Sequence, residues 1–103
     1  MRFFCLNTYG GVLFNQLIGF IKENLKDVDI FCFQEVFYSK TNESFIKNEK
    51  IKPNLFQELE KELKNFNGYY FPFQDGLGFN GSINSDISFG VATFLKKTSP
   101  LIL

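Results

Sequence analysis

Two short apolar runs, each closed by polar residues and separated by a helical stretch, constrain this chain more than any other feature. The first is Arg2-Phe3-Phe4-Cys5-Leu6-Asn7-Thr8-Tyr9-Gly10-Gly11, and the second is Asp29-Ile30-Phe31-Cys32-Phe33-Gln34-Glu35-Val36-Phe37. Continuous apolar runs of this length suit strands buried on both faces. Between them, residues 12–25 place Leu13, Phe14, Leu17, Ile18, Ile21 and Leu25 on one stripe of a 3.6-residue period. Strands joined through a helix run parallel, so their C-terminal ends share one edge of a sheet. That edge then carries the amide of Asn7 beside the carboxylate of Glu35. These are oxygen-bearing groups of the kind that meet hard cations and phosphates.

The remaining chain continues the α/β pattern. Residues 38–52 are polar and charged and read as a long surface loop. Pro53-Asn54 opens a second helix with Leu55, Phe56, Leu59, Leu63 and Phe66 on one face, and Asn67-Gly68 supplies a left-handed stop. Tyr69-Tyr70-Phe71-Pro72-Phe73 reads as a short third strand whose proline marks an edge. Residues 74–88 form a second, glycine-rich loop, and Phe89 to Leu95 a fourth strand. After a turn at Lys96–Pro100, Leu101-Ile102-Leu103 reads as the opening of a further strand. Three aliphatic residues there gain from burial only if something covers them. Residues 1–103 are therefore expected to be a partial domain, cut short at the C-terminus. A terminal strand paired into the sheet is the alternative.

Bulk properties narrow the function classes. A chain of 103 residues suits one small domain, and 45% hydrophobic residues with 15 Phe supply a core. Lys+Arg and Asp+Glu are both 11, so no basic field marks a nucleic-acid partner. There is no histidine, which removes a Cys/His zinc site and a histidine-dependent catalytic triad. Cys5 and Cys32 each sit inside an apolar run and read as buried, reduced thiols. No stretch reaches the length of apolar sequence needed to span a bilayer, so no integral membrane segment is expected. The signal-like opening Met1–Leu6 is broken at once by Asn7, Thr8 and two glycines. The expected location is cytoplasmic.

Taken together, Leu6-Asn7-Thr8-Tyr9-Gly10-Gly11, Asp29-Ile30-Phe31-Cys32-Phe33-Gln34-Glu35-Val36-Phe37 and Phe89-Gly90-Val91-Ala92-Thr93-Phe94 resemble the endonuclease/exonuclease/phosphatase superfamily. That family opens on a strand ending in Asn, a helix and a strand ending in Gln-Glu, followed later by a strand with a Gly-x-Ala pattern. The resemblance covers nearly the whole chain and about the first two-fifths of a family domain. It implies a DNase I-like four-layer α/β sandwich, of which this chain supplies the N-terminal part, about four strands and two helices. It also implies Mg2+, with Mn2+ as a substitute, and a phosphate-ester substrate (nucleic acid, phospholipid or inositol phosphate). By the same resemblance Glu35 is a metal-binding and catalytic carboxylate. Asn7 is a catalytic amide near metal and phosphate, and Gln34 belongs to the supporting shell. Val36-Phe37 after Gln34-Glu35 is closer to the DNase I and sphingomyelinase-like branches than to the apurinic endonucleases.

The family completes its site with an Asp-x-Asn segment and a late Asp-His pair, and these residues are not among the 103. The fragment alone is therefore expected to be inactive. The alternative function is an inactive truncated relative that acts as a binding or interaction module, pairing its sheet edge with a partner. Other readings of the same residues stay open. Asn7 suits a turn before Gly10-Gly11, and Glu35 suits a solvated strand end. Asp75, Asn80, Asn84 and Asp86 suit ordinary turn chemistry better than a calcium loop. Gly76, Gly78 and Gly81 follow no strand-to-helix turn and so make no dinucleotide fingerprint. Tyr69, Tyr70, Phe71 and Phe73 suit core packing better than base stacking.

Overall fold

The structure, a computed structural model, describes residues 1–40, 51–75 and 87–97. It is an α/β fold. Strand β1 (Phe3–Asn7) leads through a 3-10 turn (Tyr9–Gly11) into helix α1 (Phe14–Asn24) and then strand β2 (Ile30–Ser39). Helix α2 (Leu55–Glu62) and strands β3 (Phe66–Asp75) and β4 (Ile87–Lys96) follow. The sheet order is β1-β2-β4-β3, with β1 parallel to β2 and the other two neighbouring pairs antiparallel. The sheet is therefore mixed.

One face of the sheet makes the core. Leu17, Ile18 and Ile21 of α1 and Leu55, Phe56 and Leu59 of α2 bury against Phe31 and Phe33 of β2, with Ala92 and Phe94 of β4. Phenylalanine does much of the packing, because its ring buries large area in edge and stacked contacts. Phe33 meets Phe94 edge-on at 5.9 Å, and Phe56 stacks on Phe94 at 5.5 Å. The stripe expected for α1 buries at Leu17, Ile18 and Ile21, whereas Leu13 lies before the helix and stays exposed.

The opposite face is open along β1 and the strand segments level with it, whereas Phe37, Ser39 and Ile87 further along it are buried. On the open part Phe3, Cys5, Tyr69 and Phe71 are exposed, and Ile30, Cys32, Val91, Thr93 and Leu95 are half-buried. Four sequence expectations are corrected by this arrangement. First, β1 is an outer strand of the described sheet with one face open, not a central strand buried on both sides. Its apolar run lacks alternation because both faces carry apolar residues. Second, the cysteines are not buried: Cys5 is exposed and Cys32 half-buried. Third, of Tyr69, Tyr70, Phe71 and Phe73 only Tyr70 packs against the core, while the other three are exposed. Fourth, Asn67-Gly68 does not stop α2.

That fourth correction has a steric origin. The helix ends at Glu62, and Asn67 and Gly68 pair within β3 opposite Leu95 and Phe94. A Cβ on Gly68 would lie 2.6 Å from the Phe94 ring, so the glycine makes room for an aromatic neighbour across the sheet. The strands also reach further than the sequence suggested, β2 to Ser39, β3 to Asp75 and β4 from Ile87. Asp75, expected in the second loop, ends β3 opposite Ser88. The middle of each expected loop (41–50 and 76–86), with Gly76, Gly78, Asn80, Gly81, Asn84 and Asp86, and the apolar end 98–103 lie outside the described residues.

Candidate functional site

The residues singled out in the sequence lie at the C-terminal end of β1 and in β2 beside it. Parallel pairing sets Asn7 directly opposite Gln34, so Glu35 follows where β2 runs on past the end of β1. Glu35 was expected at a strand end, yet β2 continues to Ser39 and Glu35 sits at a bulge inside it. On the β4 side Phe33 pairs with Ala92 and Val36 with Gly90, so β2 carries one residue more than its partner. Such a bulge kinks the strand and re-aims a side chain.

The bulge is backbone-strained. Glu35 has φ 57°, in the left-handed region that non-glycine residues rarely enter. Tyr9, with φ 51°, is the other non-glycine residue of positive φ among the described residues. The two are linked through Thr8, which is 6% exposed. Its N–H donates to Gln34 O at 3.0 Å, and its hydroxyl lies 2.9 Å from both Gln34 O and Glu35 O, sharing one proton between them. From the other side, the Tyr70 hydroxyl donates to Val36 O at 2.9 Å. Strain held in place by surrounding hydrogen bonds is a recurrent mark of functional backbone.

The turn after Thr8 is equally determined. Gly10 (φ 66°) and Gly11 (φ 82°) continue the left-handed path that Tyr9 begins. A Cβ on Gly10 would lie 2.8 Å from the Phe37 ring. Gly10 O accepts from Lys52 N at 2.8 Å, which ties the turn to the segment leading into α2. Asn7 itself takes the turn-forming role as well, since its Oδ1 accepts the Tyr9 N–H at 2.8 Å. Its amide Nδ2 makes no hydrogen bond among the described residues.

A shallow cleft of about 250 Å³ adjoins Asn7, Thr8 and Tyr9 and is walled by Leu13, Leu17 and Phe20. A larger hollow of about 730 Å³ lies at the opposite end of the sheet, between Lys22, Lys26, Glu62 and Lys96, away from this corner. Among the described residues no group of three or more His, Cys, Asp or Glu converges on a metal position. Glu35 is thus a single half-buried carboxylate at the bulge. That chemistry fits a hard cation that completes its shell with water and substrate oxygens.

The sequence pointed to Asn7, Gln34 and Glu35 and gave no sign of Thr8 and Tyr70, whose hydroxyls bond the backbone of the bulge. The Gly-x-Ala pattern of Gly90 and Ala92 also gains a local explanation. A Cβ on Gly90 would lie 2.2 Å from Phe71 O and 2.7 Å from Pro72 Cα, beside a second bulge in β3. Gly90 pairs with Val36 on one side and Pro72 on the other, so it seats both irregular strands. Compared with protein-family models, with curated proteins and with solved structures, the chain matches none.

Proposed function

We propose that this chain is the N-terminal part of a Mg2+-dependent phosphoesterase of the endonuclease/exonuclease/phosphatase type, with a DNase I-like fold. The observation that carries the reading is the in-register pairing of Asn7 with Gln34 beside the strained bulge at Glu35. In this reading Glu35 binds the cation and Asn7 Nδ2 donates to a phosphate oxygen. An amide there adds no negative charge beside the carboxylate. The cation, when bound, would polarise the phosphoryl oxygen and lower the pKa of a bound water. Gln34 and Thr8 fix the backbone from which Glu35 projects. The apolar cleft beside Asn7 would seat the non-phosphate part of an ester. Specificity among nucleic acid, phospholipid and inositol phosphate belongs to loops rather than to this corner.

The test is hydrolysis of a chromogenic phosphodiester by the full-length protein in Mg2+. Glu35→Gln is expected to lower the rate about 100-fold or more, as loss of a charge-stabilising group does. Unchanged hydrolysis overturns the assignment. A second reading, a binding module without catalysis, is favoured by the open sheet face. Phe3 at 61% and Phe71 at 59% exposure stand on that face.

A further inference from the structure

Cys5 and Cys32 are direct partners in the parallel register of β1 and β2. Neighbouring strands lie about 4.8 Å apart, inside the roughly 4.4–6.8 Å Cα separation that a disulfide spans. In-register residues of a parallel pair project to the same face, and here that face is the open one, with Cys5 exposed and Cys32 half-buried. Desolvation, with the neighbouring Cys32 thiol, raises the Cys5 thiol above the ordinary thiol range. On the β4 side, Thr93 Oγ1 lies 4.0 Å from Cys32 Sγ. Asn7 and Gln34, the next same-face pair along these strands, lie one pleat further on.

We propose that Cys5 and Cys32 are an in-register dithiol that closes into a cross-strand disulfide when it meets a small disulfide oxidant such as oxidised glutathione. The thiolate of one cysteine attacks a sulfur of the oxidant, breaks its S–S bond and releases one glutathione thiolate. The other cysteine gives its proton to solvent and attacks the protein sulfur of the mixed disulfide, expelling the second glutathione. Two protein thiols are oxidised by two electrons, and one glutathione disulfide is reduced to two thiols. The sheet register makes the second attack intramolecular, which favours closure over capture of a second glutathione. On the open face the bridge is accessible to a dithiol reductant, which opens it again by the same exchange.

Intact-mass measurement of the 103-residue chain in oxidised glutathione at mildly alkaline pH tests this. The native chain is expected to give one monomeric species lighter by two hydrogen atoms and free of adduct, which dithiothreitol restores. Cys5→Ser and Cys32→Ser are each expected to hold one glutathione. Closure is expected to run ~10-fold or more faster in the native chain than in guanidinium, as orientation by the sheet requires. Stable glutathione adducts on the native wild-type chain, disulfide-linked dimers as the main product, or equal closure rates folded and unfolded would each overturn the proposal.

Discussion

The Thr8 hydroxyl lies 2.9 Å from the carbonyl oxygen of Glu35, joining the end of one strand to the strained bulge of the next. A buried hydroxyl that serves the backbone of a left-handed glutamate decides how that carboxylate is presented. Thr8→Val keeps the shape and removes the bond. It is expected to cost about 1–2 kcal/mol, read as a lower urea midpoint with unchanged slope. Thr8→Ser is expected to retain most of that stability, and equal losses in the two variants would contradict the role given to the hydroxyl.

Glu35 reverses an ordinary preference. In a regular strand Ala is more stable than Gly, because glycine loses more backbone entropy on folding. At φ 57° the balance inverts, since a Cβ in the left-handed region costs about 1–2 kcal/mol. Glu35→Gly is therefore expected to be more stable than Glu35→Ala by roughly 0.5–1 kcal/mol. Thermal unfolding of the two variants checks this, and a more stable alanine variant would remove the strain argument.

Gly90 should tolerate no side chain. The Cβ of Gly90→Ala would stand 2.2 Å from Phe71 O, a backbone atom that moves only with its strand. The expected loss is about 3 kcal/mol, at the upper end for overpacking. Faster hydrogen exchange in β3 should accompany it. A variant with wild-type exchange there would show that β3 does not approach so closely.

Gly19 gives the opposite result. It is exposed in the middle of α1, and a Cβ added there meets nothing within 4 Å. Gly19→Ala should stabilise the fold by about 0.5–1 kcal/mol through helix propensity alone. A lower melting temperature would mean that this face of α1 has a partner.

The contrast between these sites shows what a sequence of this kind discloses. The parallel pairing that brings Asn7 to Gln34 follows from two apolar runs around an amphipathic helix, and periodicity carried it. The α2 stripe at Leu55, Phe56 and Leu59 was legible for the same reason. The bulge was not, because a glutamate in the left-handed region leaves no mark in composition. It is held by bonds from Thr8 and Tyr70, both remote from it in the chain. The outer place of β1 was hidden by Phe3 and Cys5, which read as buried because they are apolar. Gly68 read as a helix stop because the Phe94 ring that requires it is supplied by another strand.

The most direct measurement of the central claim is Mn2+ titration of the isotopically labelled chain, followed by paramagnetic broadening of its amide resonances. Asn7, Thr8, Gln34 and Glu35 are expected to broaden first and together, and Glu35→Gln to abolish the effect while the remaining spectrum stays folded. Broadening that begins among the acidic residues at the other end of the sheet, or persists at this corner in Glu35→Gln, would contradict a cation site built on Glu35.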